Sequence, residues 1–208
     1  MITNRLQTKT LVALHYAMRL TVIVAAVHLA YLRDWVDTVY AVFIFLLMML
    51  PSILKRRYKI YLPFSIEFVT VAFIYLTQFL GSIAHFYQRF AWWDVMFHFL
   101  SGILLAIIGF LLVYILNETK TPKLTLSPFF VALFSVCFSL ALGVFWEIYE
   151  YAADTLFGYN MQEDGLRDTM WDLIFATTAS LVTATIAYFW MKHKSKVPFT
   201  PKKLHTHS

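Results

Sequence analysis

Cysteine and charged residues are scarce in this sequence, and each scarcity excludes a class of protein. The one cysteine, Cys137, lies in an apolar run, so the chain forms no disulfide within itself and no thiolate-based metal site. Only 14% of the 208 residues are charged and 60% are apolar or aromatic, against about 25% and about 45–50% in soluble domains. This composition excludes a soluble module, a coiled coil and a disordered tail, and it indicates a chain that is partly surrounded by lipid.

The sequence contains long apolar stretches of the length that crosses a membrane. A helix needs about 20 mostly apolar residues to cross a hydrocarbon core of roughly 30 Å, and these stretches do not alternate as barrel strands would. We therefore predict an all-α, polytopic membrane protein with six transmembrane helices. We predict a single domain over residues 1–191, followed by a basic tail over residues 192–208. The predicted spans are residues 11–32, 39–54, 62–85, 94–116, 128–154 and 168–191.

Positive charge is distributed unevenly among the predicted loops. With the amino terminus inside, thirteen of the 17 Lys and Arg residues fall in inner segments, three in outer segments, and Arg19 within the first span. Because Lys and Arg accumulate in cytoplasmic loops, we predict that both termini and the basic tail are cytoplasmic. The net charge of +5 then reflects topology and gives no reason to propose nucleic acid as a partner. The expected partner is the lipid bilayer, and the oligomeric state stays open.

Acidic residues lie mainly on the opposite side. Ten of the 12 fall in outer loops or outer halves of helices, and Glu67 and Glu118 are the exceptions. Spacings of three and four residues place those in the fourth, fifth and sixth spans on one face of each helix. At 1.5 Å per residue, the deepest lie about 6–10 Å inward, where ionisable groups normally face a protein interior. We expect these stripes to converge: Asp94 and His98; Glu147, Glu150 and Asp154; Asp168 and Asp172.

If these stripes converge, their carboxylates repel one another, and this repulsion indicates a bound cation or shared protons. Two like charges 6 Å apart repel by about 3 kcal/mol at an effective dielectric constant of 20, so either shared protons or a divalent cation must balance the carboxylates. Carboxylates with one imidazole suit Zn²⁺, Mn²⁺, Fe²⁺ or Mg²⁺, and His85 is a candidate second imidazole. Asp94 or Asp154 is predicted to orient the ligands or to act as a general base. The predicted metal ligands are His98, Glu147, Glu150 and Asp172.

Each stripe also has a purely structural interpretation. Asp94 and Asp168 could cap the amino termini of their helices, and the acids of the fifth span could belong to a helix end in water. Capping does not account for an imidazole one turn deeper than Asp94, and acids at a helix carboxyl terminus oppose its dipole. Separately, Arg19 and Glu67 are predicted to be structural, either as a buried ion pair or with Arg19 reaching the headgroups.

Three segments in the second half of the chain carry a family resemblance. They are WDVMFHFLSG at residues 93–102, FWEIYEY at residues 145–151, and residues 168–172. Together they resemble the pattern of the YjdF-type bacterial inner-membrane proteins, over residues 92–191. The resemblance implies a multi-pass protein of the bacterial plasma membrane, and it implies no substrate. The loop at residues 160–165 departs from that pattern, so the resemblance assigns no role to Glu163 and Asp164.

Three functional classes are compatible with an acidic site of this kind. The preferred hypothesis is metal-dependent hydrolysis or group transfer on a lipid or lipid-linked substrate at the outer leaflet. The alternatives are a proton- or cation-coupled transporter, and a membrane subunit that docks a basic partner through its acidic outer face. Convergence of the three stripes favours a site, a water-filled passage favours transport, and outward-splayed acids favour docking.

Overall fold

All regular secondary structure in the described part of the chain is helical. The computed structural model describes residues 2–58, 64–90, 92–118, 126–162 and 165–193. This confirms the all-α prediction. The helices are α1 (Ile2–Tyr31), α2 (Trp35–Arg57), α3 (Phe64–Ile74), a π-helical segment (Tyr75–Ile83), α4 (Phe86–Arg89), α5 (Trp92–Glu118), α6 (Pro128–Phe157) and α7 (Leu166–His193).

Six helical stretches within these ranges are long and apolar enough to cross a membrane, as predicted. They are Lys9–Tyr31, Trp35–Arg57, Phe64–Ile83, Trp92–Val113, Pro128–Phe157 and Leu166–His193. The second helix begins four residues earlier than predicted, because the Asp34 side chain caps it by accepting the backbone N–H of Asp37 at 3.2 Å. The fourth, fifth and sixth predicted spans correspond to α5, α6 and α7. The cytoplasmic location of both termini stays a prediction.

Large apolar side chains remain exposed along these helices. Leu20, Phe129 and Ile186 each expose 60% or more of their surface, and each lies within a membrane-length stretch. Exposed apolar area on this scale is unusual for a protein surrounded by water. A lipid bilayer, in which helices satisfy their own backbone hydrogen bonds, is the environment that this surface fits.

The chain divides into two compact units, Met1–Trp93 (unit 1) and Asp94–Ser208 (unit 2). The predicted single domain and the basic tail stay predictions, and residues 194–208, with His205 and His207, lie outside the described residues. Glu163 and Asp164 also lie outside them. The core of unit 1 is an apolar cluster from its first three helices: Met18, Val22, Ile44, Met48 and Val71.

A polar network crosses the same three helices and involves Arg19 and Glu67, which are both buried. Arg19 Nη2 donates to Met48 O at 2.8 Å and to Ser52 Oγ at 3.0 Å. Ser52 Oγ in turn donates to Glu67 Oε1 at 2.6 Å, and Lys55 Nζ lies 3.2 Å from Glu67 Oε2. The two charges therefore share a hydroxyl and, within the described residues, form no direct ion pair of the kind considered from the sequence.

The third span departs from the α-helical geometry expected from its sequence. Its carboxyl-terminal half, Tyr75–Ile83, is π-helical. The buried Gln78 accepts a hydrogen bond from Tyr40 Oη at 2.6 Å and donates to Thr77 Oγ1 at 3.2 Å. Amide and hydroxyl groups thus satisfy one another inside an otherwise apolar unit, as buried polar groups require.

Small side chains allow the helices of unit 2 to pack closely. Buried Ser135 and Ser139 lie on α6, and buried Ala176 and Ala179 lie on α7. Short side chains at such positions permit close backbone approach where no hydrophobic effect drives helices together in lipid. This packing fixes the relative positions of the three acidic stripes, all of which belong to unit 2.

Candidate metal centre

α5 contributes an aspartate and a histidine on one face. The helix begins at Trp92, so Asp94 lies in its first turn and is not its capping residue. His98 is one turn further along, and its Nε2 lies 3.5 Å from Asp94 Oδ1. The Asp94 side chain is 27% exposed and that of His98 is 12% exposed. Asp94 therefore marks the more accessible side of the site.

α6 contributes two glutamates, both buried. Glu147 Oε1 lies 3.8 Å from His98 Nδ1. Glu150 Oε1 accepts a hydrogen bond from Trp146 Nε1 at 2.8 Å, four residues earlier on the same helix. The indole thus orients one of the two carboxylates, a role that Trp146 could have been given from its spacing to Glu150 and that the sequence analysis missed.

α7 contributes Asp172, whose side chain is 1% exposed. Asp172 Oδ2 lies 4.0 Å from His98 Nε2, on the ring edge that also faces Asp94. The imidazole of His98 is therefore surrounded by carboxylates from three helices. The convergence expected from the spacing of the stripes is present for Asp94, His98, Glu147, Glu150 and Asp172.

These five residues form two overlapping sets that share His98. In one set, ligand atoms of His98, Asp94 and Asp172 lie within 4.8 Å of one another; in the other, those of His98, Glu147 and Glu150 do so. We refer to Asp94 and Asp172 as the aspartate pair, and to Glu147 and Glu150 as the glutamate pair. Each set brings oxygen and nitrogen donors close enough to converge on a single cation.

Two of the carboxylates are buried without the partners that buried charges require. Both oxygens of Glu147 and both oxygens of Asp172 lack a hydrogen-bond partner. The side chains of Thr169 and Gln162 lie near the Glu147 carboxylate. The Gln162 amide donates to Thr169 Oγ1, and neither side chain meets Glu147 at the distance and angle of a hydrogen bond. A buried carboxylate in this condition is costly unless it is protonated or bound to a cation. The donor set and these four oxygens fit a divalent metal ion.

Positive charge from the chain itself does not balance the site. In the described ranges of unit 2, the cationic partner of these acids is the His98 ring, and no Lys or Arg forms an ion pair with them. Two carboxylates separated by 4.8 Å, the limit within each set, repel by about 3 kcal/mol at an effective dielectric constant of 20. Four of them around one imidazole leave a large uncompensated negative charge.

Gly102 determines how closely α7 approaches this site. A Cβ atom at Gly102 would lie 2.2 Å from the backbone oxygen of Ala176, so only glycine fits. Gly102 is one turn beyond His98, and Ala176 is one turn beyond Asp172. The α6 side of the same contact is Ser139, whose Oγ donates to Gly102 O at 3.4 Å. This close contact is therefore one helical turn away from His98 on α5 and from Asp172 on α7.

Asp154 lies outside both ligand sets. Its Oδ1 accepts the backbone N–H of Met161 at 2.7 Å, and its Oδ2 accepts that of Gln162 at 2.9 Å. Gln162 Nε2 then donates to Thr169 Oγ1 at 2.8 Å. The Asp154 carboxylate thus anchors the following loop to the end of α6, and the Gln162 side chain links that loop to the first turn of α7. Gly158 ends α6 in the left-handed conformation, with φ +70°, and permits this turn.

Two other residues considered from the sequence, Asp168 and His85, lie outside the ligand sets. Asp168 lies in the first turn of α7, where a carboxylate complements the helix dipole. His85 belongs to unit 1, where it adopts a left-handed backbone conformation with φ +58°, and it is a member of neither ligand set.

Comparisons with known proteins identify a relative and a family. No solved structure matches the chain. A Thermotoga maritima protein described as "Uncharacterized protein" is 31% identical over 121 residues, which cover 55% of this chain and 57% of that relative. The chain therefore matches little more than half the length of that relative.

A family profile described as "Predicted membrane protein (DUF2238)" matches residues 11–193. The match extends well beyond residues 92–191, on which the resemblance to YjdF-type proteins rests, and it is compatible with that resemblance. It includes both ligand sets and all six membrane-length helices, apart from the first two residues of Lys9–Tyr31. The chain belongs to the DUF2238 family of predicted membrane proteins.

Proposed function

We propose that this protein binds a divalent cation in unit 2 and uses it in a metal-dependent hydrolase or transferase reaction. The observation that carries the proposal is the pair of buried carboxylates, Glu147 and Asp172, whose four oxygens lack hydrogen-bond partners beside His98. Zn²⁺, Mn²⁺, Fe²⁺ and Mg²⁺ are the candidate ions, because oxygen donors with one imidazole suit them.

The proposed substrate is a lipid or a lipid-linked molecule at the outer leaflet of a bacterial plasma membrane. Two features support this location. Lys and Arg are in excess in the segments assigned to the cytoplasm, and Asp94, His98 and Asp172 lie in the first two turns of membrane-length helices. A substrate that reaches such a site from the bilayer can keep its acyl or prenyl chain in lipid.

Each part of the site has a proposed role. A bound divalent cation supplies Lewis-acid polarisation and stabilises developing negative charge. We assign to Asp94 the role of accepting a proton from an attacking group, and its greater exposure supports this role. Asp154, the other base considered from the sequence, has both oxygens engaged by backbone amides, and we propose that it anchors the loop before α7.

Metal analysis of purified protein tests the proposed metal site. His193→Gln, His205→Gln and His207→Gln in the full-length chain remove adventitious ligands in and beside the tail. In this background, plasma mass spectrometry should find divalent metal that His98→Ala and Glu150→Ala both lose, whereas the control Asp154→Asn retains it. Retention of metal by both alanine variants contradicts the proposal. Metal-free protein in every sample leaves shared protons as the balancing charge and favours transport.

The reaction itself is tested with a lipid phosphate ester in mixed micelles. Release of inorganic phosphate by the wild-type protein should stop on addition of a chelator and resume when Mn²⁺ or Zn²⁺ is restored. Asp94→Asn should lower the rate more than 100-fold, in the range expected for loss of a general base, while keeping the protein folded and monodisperse. Metal-bound protein without chelator-sensitive turnover on phosphate, ester or glycosidic lipids contradicts the enzyme proposal and leaves the metal site intact.

A further inference from the structure

Carboxylates occupy both edges of the His98 ring. On the Nε2 edge, Asp94 Oδ1 lies at 3.5 Å and Asp172 Oδ2 at 4.0 Å. On the Nδ1 edge, Glu147 Oε1 lies at 3.8 Å, and Glu150 completes the same ligand set. The ring thus separates the aspartate pair from the glutamate pair. One cation placed at either edge would leave the carboxylates of the other edge without it.

Each edge also has its own buried carboxylate with unsatisfied oxygens. This carboxylate is Asp172 on the Nε2 edge and Glu147 on the Nδ1 edge, and both side chains are more than nine-tenths buried. Their oxygens lie nearest different nitrogens of the His98 ring, Nδ1 for Glu147 and Nε2 for Asp172. A single cation could satisfy one of these groups but would leave the other buried and uncompensated, at the cost that such groups carry.

The charges also favour two cations over one. Four carboxylates carry four negative charges when ionised, and a neutral imidazole contributes none. One divalent cation beside a neutral ring would leave two negative charges unbalanced. Two divalent cations on a ring that has lost its N–H proton would leave one, because five negative charges then face four positive charges. In the described parts of unit 2, no Lys or Arg forms an ion pair that would supply the difference.

We propose that the site binds two divalent cations, one at each ring nitrogen of His98. The aspartate pair completes one position and the glutamate pair completes the other. Asp94 binds through one carboxylate oxygen in this arrangement and keeps its second oxygen for the proposed role as a base. A neutral imidazole has one lone pair and one ring proton, so the ring releases that proton to solvent when its second nitrogen binds the second cation. This inference rests on the proposed metal site and specifies its stoichiometry and arrangement.

Zinc binding by the full-length protein tests the inference. Protein in the tail-substituted background is stripped with a chelator, dialysed against Zn²⁺ in excess, and assayed for zinc atoms per chain. The wild type should bind two. Asp172→Asn and Glu150→Gln should each bind one, because each impairs a different position, and the combination should bind none. Glu147→Gln is the alternative variant for the glutamate edge, and Asp154→Asn is the matched acidic control that should retain two.

The possible outcomes separate this inference from the proposed function. One zinc per wild-type chain overturns the two-cation arrangement and leaves a single metal site standing. No zinc at all overturns both. Two zincs in the wild type that are lost together in each single variant show one cooperative cluster, and they overturn the placement of one cation on each side of the ring. Two zincs that persist in His98→Ala also overturn it.

Discussion

Asp172→Asn is expected to change stability in opposite directions with and without metal. The amide has nearly the shape of the carboxylate and removes one negative charge from a side chain that is 1% exposed. Asp172 has no hydrogen-bond partner to lose, since both of its oxygens are unsatisfied. The substitution therefore changes the charge of the site with little change in its packing.

The size of the effect follows from the distances. Repulsion between the aspartate pair, at no more than 4.8 Å, is about 3 kcal/mol at an effective dielectric constant of 20, and loss of the attraction to His98 offsets part of it. In chelator at alkaline pH, we expect Asp172→Asn to raise the free energy of unfolding by about 1–2 kcal/mol, or Tm by about 2–8 °C. A cation present at 100 times its Kd stabilises the wild type by about 2.7 kcal/mol. The variant loses this gain at the cation position that Asp172 completes.

Thermal unfolding in detergent, followed by tryptophan fluorescence, measures both effects. The variant should melt above the wild type in chelator and below it in saturating Zn²⁺. Asp154→Asn is the control: it weakens two hydrogen bonds from backbone amides and should lower Tm equally in both conditions. A variant that melts below the wild type by the same amount with and without Zn²⁺ would refute the reasoning.

Three further substitutions test the close helix contact beside the site, the polar network of unit 1 and the turn that ends α6. Gly102→Ala should destabilise the protein by about 1–3 kcal/mol through overpacking and should weaken Zn²⁺ binding. Gly143→Ala is the control and should change neither, because a Cβ there meets its nearest atom at 4.0 Å. Equal zinc affinity in both variants would contradict the role of Gly102 in positioning α7. Ser52→Ala should cost about 1–3 kcal/mol, measured by thermal unfolding, because it removes the hydroxyl that donates to buried Glu67, and should leave Zn²⁺ stoichiometry unchanged. Gly158→Ala should cost about 1 kcal/mol from its positive φ alone, since open space surrounds it, and an unchanged Tm would argue against that strain.

The helices and their number could be predicted from sequence because the bilayer imposes a length on every apolar stretch. Six runs of that length were visible, and all six are helices. The start of α2 was predicted too late because the Asp34 cap depends on one side-chain hydrogen bond. The π-helical turn at Tyr75–Ile83 has the same apolar composition as an α-helix, so composition gives no signal for it.

The members of the candidate site could be predicted because helical spacing places them on one face. Asp94 and His98 are four residues apart, and the cost of burying them requires partners. The separation of the ligands into two edges could not be predicted, because it depends on the rotation of α6 and α7 about the His98 ring. Asp154 was predicted as an orienting group or a general base because it continues the stripe of Glu147 and Glu150. Its hydrogen bonds to the loop amides depend on the path of the chain after Gly158, which spacing does not give.

X-ray absorption spectroscopy of the zinc-loaded protein tests the central claim most directly, because it reports the atoms bound to the metal. The account predicts a first shell of nitrogen and oxygen at about 2.0–2.2 Å, with outer-shell scattering from imidazole that His98→Ala removes. Tail histidines are substituted in both samples, so any remaining imidazole signal in the His98→Ala spectrum would place the zinc elsewhere. A sulfur shell, which would place zinc at Cys137, or an unchanged spectrum in His98→Ala would contradict the account.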